Sequence, residues 1–526
     1  MHVTSKRLSR AALLAAISLP LVGGASVHQR RQTVEQAKLF DQVFQLVSTR
    51  YIDTISTDTL YKTAAQGLIR ELHDPFSSFY SHSEFTQFNN AMRSNYVGLG
   101  IQIAAGPTGI IVQHVFPNTP ASENGIIDGD QITQVDTFST YGWTAQEISD
   151  KIHGPSGTPI TLTLQRSGIP QPIAVALKRS VVHIPTVPYA FVLEGTIGYI
   201  PLLQFGERAS LELANAVANV TEQGATSLIL DLRGDPGGLL QQAVDVSSLF
   251  LPEGTTVVTL HDRHGRTAYN VSSPPVQPDI PIVVLVDGHT ASASEIVTGA
   301  LQDHDRALVI GTPTFGKGVA QELFQLEDGY TLRLTTARWY TPNGRLIHRD
   351  RTLLDNGRVV ELDSASDIAG RPVFSSDSGR TLYGGGGIVP DLIVTPDTMT
   401  SDERELLQAL APWQQVYIAQ MQSYAFSLRG TLKPNFTFTP QMRAAFVQKL
   451  RDHGVIVDDS LLARGGSILD RTVGKRITTI LFGDSTAERK YLGHDRQLQQ
   501  AVTLLESSQD QTSLFAAAQH VTTDRH

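Results

Sequence analysis

The chain has 526 residues, 41% of them hydrophobic and 18% charged, with a formal net charge of −9 at pH 7 and no cysteine. That length exceeds what one compact core holds and predicts three or four domains of a folded protein. The acidic balance, with no Lys/Arg-rich run, argues against a nucleic-acid binder, and the lack of cysteine excludes disulfides, thiolate metal sites and a cysteine nucleophile.

At the N-terminus, Lys6, Arg7 and Arg10 precede an uncharged stretch from Ala11 to Ala25 that ends in small residues. Gly23 and Ala25 suit the two small positions of a cleavage site, so residues 1–25 read as a secretory signal, cleaved or kept as an anchor. The expected location is extracytoplasmic, in a bacterial periplasm, with the membrane reached only through that segment. Residues 33–92 carry helical spacing (Leu39, Val43, Phe44 and Val47, then Leu60, Ala64, Leu68 and Leu72) and predict a small helical domain for packing or dimerisation.

From Tyr96 the texture changes. YVGLGIQI, GIIVQHV, DQITQVD and PITLTLQRSG read as short strands and TAQEISDKIHG as a helix, which together delimit a β-rich domain over 93–182. Its first strand opens on Gly98, Leu99, Gly100 and Ile101. A glycine-rich loop there offers backbone N–H groups to a terminal carboxylate, and the strand edge beside it can take a peptide as an added strand. A small barrel whose glycines only make turns is the plainer alternative. With the punctuation of TPASENGIIDGD, the order resembles a PDZ domain of the bacterial type.

Residues 183–399 read as an α/β core: SLILD and IPIVVLV are apolar strands, each followed by a loop and a helix, and RALVIG is a further strand. Continuous apolar strands followed by helices indicate a sheet covered on both faces. GIVPDLIV reads as a return strand, and 400–526 as a mostly helical region.

Two stretches of the core carry chemistry. Gly311 to Lys317 reads G-x-x-x-x-G-K, one residue short of a phosphate-binding loop. Gly318 stands where that loop needs a hydroxyl, and the next residues read as two strands around an Asp-Gly turn instead of the helix that would hold phosphates. In VLVDGHTASASEIVTGAL, Ser292 sits where an apolar strand gives way to a helix, so that amides and the helix dipole face a developing oxyanion; taken alone it reads better as an ordinary N-cap. Neither G-x-S-x-G nor G-D-S-G-G is present, and His289 and His304 read as surface or loop histidines. Lys317 then becomes the candidate base, provided burial lowers a pKa of about 10.4 toward neutrality, and Gln321 is placed to hold its amine.

The blocks LILDLRGDPGGLL, TASASEIVTGALQDHDRALVIGTPTFGKGVAQ, RWYTPNGRLI and GIVPDLIV resemble those of the carboxyl-terminal processing peptidases, or tail-specific proteases, over about residues 36–395. The resemblance implies a multidomain α/β fold: a crotonase-like peptidase core with an inserted PDZ domain and helical N- and C-terminal regions. It implies Ser292 as nucleophile, Lys317 as general base, Gln321 as its partner, and the amides of Ala293 and Gly238 as the oxyanion hole, with Gly237 the fallback. It implies no cofactor and no metal, and a substrate presented as an unstructured protein or peptide C-terminus; a homodimer is an expectation of the N-terminal helical spacing alone. Two departures stand out. Gly234-Asp235 replaces two amide residues before Pro-Gly-Gly, and no glycine follows Asp136. A catalytically silent PDZ scaffold and a non-peptidase enzyme of crotonase type remain as alternatives.

Overall fold

The computed structural model describes residues 35–523 apart from 107–108, 167, 278, 355–356, 362–367 and 369, so the expected signal over 1–25 lies outside the described residues. One compact unit comprises the described residues up to Phe79 together with Leu353–Val359; the other comprises Tyr80–Thr352 and the described residues from Val360 onward. The helix His82–Met92, which helical spacing grouped with the N-terminal domain, therefore belongs to the second unit.

In the first unit, residues 35–50 are helical and are succeeded by the helix Thr57–Arg70, capped by the Ser56 hydroxyl on the Thr59 amide at 3.1 Å. Phe44 stacks on Tyr61 with ring centroids 4.1 Å apart. The apolar spacing is thus real, but much of it faces outward: Leu39, Phe40, Val43 and Leu46 are all exposed.

Within the second unit, the β-rich insertion is a sheet ordered Ile101–Gly106, Gly109–Val115, Gln131–Val135, Pro159–Gln165, Ile173–Lys178. Alternation explains its core. Ile160, Leu162 and Leu164 point inward from one strand and meet Ile148 and Ile152 of the helix Ala145–Ile152. The chain enters and leaves through one antiparallel ribbon, Asn95–Gly98 paired with Ser180–His183, which is how an inserted domain is tethered.

The core sheet runs Phe191–Leu193, Ile197–Pro201, Ser227–Asp231, Ile282–Val286, Leu308–Gly311, Leu392–Ile393, with all but the first strand mutually parallel. Side chains alternate between two hydrophobic layers. Leu228, Leu230, Val284 and Val309 face the helices Ala209–Glu222, Leu240–Ser248 and Ala293–Asp303. Ile229, Val283, Leu285 and Ile310 face Leu498, Val502, Leu505 and Leu514 of the two C-terminal helices Arg496–Glu506 and Gln511–Thr523. A boundary at 399 consequently cuts through shared packing, because these last helices cover the second face of the core sheet. The remaining C-terminal helices pack around Phe446, Leu469 and Val473, and one of them, Gln414–Ser427, lies beside the insertion's edge strand Ile101–Gly106.

Asp303 at the end of its helix and Arg345 form an ion pair in which neither side chain is exposed, and Asp303 also accepts the Asn343 amide at 2.8 Å. Asp303→Ala leaves a buried guanidinium without its counter-charge, so we expect a loss of about 3–5 kcal/mol in urea unfolding, and a loss below about 1 kcal/mol would contradict this account.

Candidate active site

Three loops leave the carboxyl ends of three adjacent parallel strands, the usual place for chemistry in such sheets. The first comes after Asp231 and carries Gly237 and Gly238; the second comes after Val286 and leads to Ser292; the third comes after Gly311 and leads to Lys317. They are tied to each other. Thr290 donates its hydroxyl to the Leu232 carbonyl at 2.8 Å, the Ala291 amide reaches the Asp235 carbonyl at 3.0 Å, and the Phe315 amide reaches the Thr290 carbonyl at 3.0 Å.

Ser292 immediately precedes the helix Ala293–Asp303 and has φ 57° and ψ −114°, a conformation that non-glycine residues rarely hold. What holds it is Glu295, which is fully buried. One carboxylate oxygen of Glu295 accepts the amides of Ser292 and Lys317, both at 2.8 Å, and the other accepts the Thr314 hydroxyl at 2.5 Å and the Gly316 amide at 2.6 Å. Burial pushes this carboxyl up and the donors pull it back, with burial the stronger. The nucleophile loop and the lysine loop are thus clamped to a single side chain. Sequence reasoning did not single out Glu295; the signal was Ser-x-x-Glu at a helix start, the pattern of a capping box.

Lys317 is partly buried, and its carbonyl accepts the indole N–H of Trp339 at 2.9 Å. The chain continues into the strand Val319–Gln325, which pairs antiparallel with Thr331–Tyr340, so no helix N-terminus stands behind the lysine. The glycines around it serve close packing. A Cβ at Gly318 would lie 2.7 Å from the His348 amide nitrogen, and one at Gly311 1.9 Å from the Val286 carbonyl oxygen. A hydroxyl-bearing residue at 318 has no room. Gln321 sits just past an irregularity in the strand register, and its side-chain nitrogen donates to the Thr335 hydroxyl at 3.3 Å.

Gly237 has φ 90°, and a Cβ there would fall 3.0 Å from the Ser292 Cβ and 2.8 Å from the Ala293 nitrogen, so the turn lies against the nucleophile. The Gly237 amide is already taken by the Asp235 carboxyl at 2.7 Å. The bridge to Phe205 uses the Gly237 carbonyl and the Leu239 amide, and leaves the Gly238 amide outside it. Ser292, Ala293, Lys317, Gln321 and Gly238 line one cavity of about 340 Å³, whose walls include Met92, Leu239, Leu260, Ile296 and Val319. Met92 comes from the helix His82–Met92, a contribution that spacing alone did not reveal.

The two histidines stand apart from this cavity. His289 is exposed beside Asp287, and His304 is held between Asp377 at 2.7 Å and the Thr256 carbonyl at 2.9 Å. In the insertion, Leu99 is buried in the domain core and Gly100 has φ 82°, with no space for a Cβ against Thr119. Burial pushes the Tyr96 phenol up to about 12, against the pull of the Gly100 and Ile101 backbone.

Known proteins share these segments. The model for peptidase family S41 matches residues 196–355, that for a PDZ domain matches 90–165, and that for the N-terminal domain of the activating protease CtpB matches 21–84. A carboxy-terminal-processing protease of Bartonella bacilliformis is 35% identical over 339 residues, which is 64% of this chain and 77% of that protein. A probable CtpA-like serine protease of Staphylococcus epidermidis is 31% identical over 338 residues, 64% of this chain and 68% of that protein. Among solved structures, the photosystem II D1 C-terminal processing protease matches 70% of this chain and 89% of its own, at 25% identity and a TM-score of 0.35.

Proposed function

The chain belongs to the carboxy-terminal-processing protease family, and from that premise we propose that this serine-type peptidase works with Ser292 as nucleophile and Lys317 as general base. Neutral Lys317 takes the Ser292 hydroxyl proton as Oγ attacks the scissile carbonyl carbon. The amides of Gly238 and Ala293 receive the negative charge that develops on the carbonyl oxygen. Lys317 then returns the proton to the leaving amine, and an acyl-enzyme remains on Ser292. Water, deprotonated by Lys317, attacks the ester, and the proton goes back to Ser292 as it departs. Gln321, oriented by Thr335, turns its carbonyl oxygen to the lysine amine. The observation that supports this reading is that Ser292, Ala293, Lys317, Gln321 and Gly238, from separate segments of the chain, all line one cavity. Its apolar walls favour a small apolar residue on the acyl side of the cut.

The same reading assigns a helical N-terminal domain that ends at Phe79, short of the expected bound at 92, a PDZ domain over 93–182, and a crotonase-like peptidase core over 183–399 that the helices Arg496–Glu506 and Gln511–Thr523 of the region 400–526 complete. The PDZ domain takes protein C-termini, with Gly98, Leu99, Gly100 and Ile101 meeting the carboxylate and the edge strand Ile101–Gly106 taking the peptide. The outward apolar side chains Leu39, Phe40, Val43 and Leu46 support a homodimer through the N-terminal helices. The signal layout of 1–25 supports work outside the cytoplasm.

The test uses the purified full chain, an unstructured protein substrate with an apolar C-terminus, and a fluorophosphonate probe. We expect labelling at Ser292, cleavage of the substrate, and at least about tenfold weaker binding when the terminal carboxylate is amidated, because a charge-assisted hydrogen bond contributes about 1.5–3 kcal/mol. Peptide binding without labelling or cleavage would establish the silent scaffold instead. Equal affinity for acid and amide would remove the carboxylate role from the PDZ loop.

A further inference from the structure

Asp235 is one of the places where this chain departs from the pattern it resembles, and it lies fully buried within the turn that faces Ser292. Its backbone carbonyl accepts the Ala291 amide at 3.0 Å and the Ser294 hydroxyl at 3.2 Å, so the residue is fastened to the nucleophile loop on both sides of Ser292. One carboxyl oxygen accepts the Gly237 amide at 2.7 Å; the other is buried without a hydrogen-bond partner. A charged carboxylate in that position is costly.

We propose that Asp235 is a positioning residue for the oxyanion site, a neutral carboxyl that fixes the Gly237 amide so that the next amide, that of Gly238, faces Ser292. The proposal rests on the serine-peptidase reading above. The charged groups on the surrounding segments have their own partners. Arg233 pairs with Asp231 at 2.6 Å and with Asp495 at 2.7 Å, Asp287 accepts the Gly234 amide at 3.0 Å, and Glu295 holds the four donors described above. His289 is turned to solvent, and Lys317 stands on the third loop and lines the same cavity as Gly238. Burial raises the Asp235 carboxyl from 3.8 to about 8, the Gly237 amide pulls it partly back, and no charged group contributes. In the neutral form one oxygen accepts Gly237 and the other carries the proton, the arrangement an asparagine side chain would reproduce. Ionisation places a negative charge behind the oxyanion donors, where it opposes the charge they are there to stabilise.

The experiment compares wild type, Asp235→Asn and Asp235→Ala as full chains, measuring kcat and KM on a peptide substrate from about pH 6 to 9.5 and thermal unfolding from about pH 5 to 8. The ratio of kcat for Asp235→Asn to wild type should be flat below about pH 7 and rise up to tenfold per pH unit above about pH 8. Taking a ratio removes the pH dependence of Lys317, which the two proteins share. Asp235→Ala should lower kcat about 10- to 100-fold with little change in KM, through misplacement of one oxyanion donor. Because the folded carboxyl is raised above its unfolded value, its contribution to stability falls as pH rises from about 4 to about 8. The Tm advantage of Asp235→Asn over wild type should therefore grow across that window, a readout independent of activity. Parallel pH profiles with a constant Tm difference would overturn the role of Asp235 while Ser292 still reacts with a fluorophosphonate. Failure of wild type to react at any pH would instead overturn the peptidase assignment, and this proposal with it.

Discussion

Lys317→Arg is expected to be nearly inactive while remaining folded. Arginine keeps the positive charge and most of the length of lysine, so a phosphate clamp or a structural cation at this position would survive the change in large part. A general base would not, because it must lose its proton before it can accept one from Ser292, and the guanidinium stays protonated in proteins. The surroundings favour the second role. The lysine faces the cavity that Ser292 and Gln321 share, and the chain behind it runs into a strand. Lys317→Arg, Lys317→Ala and Ser292→Ala should each lower kcat/KM by at least about 10⁴-fold, and the Ser292→Ala/Lys317→Ala double variant should be scarcely worse than either single one, because the residues act as a unit. Circular dichroism and unfolding curves must show that each variant is folded. Substantial proteolysis by folded Lys317→Arg would remove the lysine from the proton-transfer step.

The strands of the core were legible because their central residues are apolar in an unbroken run and a sheet buried on both faces needs them so; Ile282–Val286 and Ser227–Asp231 are each buried along their whole length. The hairpin after Lys317 was legible from its Asp-Gly turn, and it is what separates this glycine-lysine stretch from a nucleotide loop. Ser292, Ala293, Lys317 and Gln321, the residues proposed for catalysis, were within reach for a different reason: they lie on two short motifs joined by one helix and one strand, so chain order nearly places them together. Gly238 was harder, since the strand and loop that carry it are more than fifty residues away in sequence. Resemblance supplied it, and the competing donor was narrowed only by geometry, once the Gly237 amide was seen to be bound by Asp235.

What the sequence withheld depends on packing between distant segments. The final two helices read only as helical, and nothing in their own spacing says that Leu498 and Leu514 meet Ile229 and Val283. Arg233 shows the same limitation. Its guanidinium holds Asp231 in its own strand–loop segment and also Asp495 and Gln497 at the start of a C-terminal helix, the latter at 3.0 Å. Burial works against that charge, but the two carboxylates outweigh it and raise the Arg233 pKa. A contact across more than 250 residues leaves no local signature.

Glu295 gives the second large expected effect, and its two obvious variants should differ in kind. Alanine removes both oxygens and leaves the Ser292, Gly316 and Lys317 amides and the Thr314 hydroxyl without acceptors in a dry interior. At about 1–3 kcal/mol for each orphaned donor, the sum is comparable to the whole stability of a domain, so Glu295→Ala should fail to accumulate as folded protein. Glutamine keeps the shape and one oxygen. Its amide nitrogen is tolerated best toward Thr314, whose hydroxyl can turn and accept, and this leaves only the Gly316 amide facing another donor. Glu295→Gln should therefore fold, with a loss of about 1–3 kcal/mol, while the loop carrying Lys317 shifts relative to Ser292. A displacement of about 1 Å between reacting groups costs about 100-fold in kcat, and KM should move far less, because the apolar walls of the cavity are untouched. Full kcat in folded Glu295→Gln would show that the two loops keep their register without the carboxylate, and the strain at Ser292 would then need another source of support.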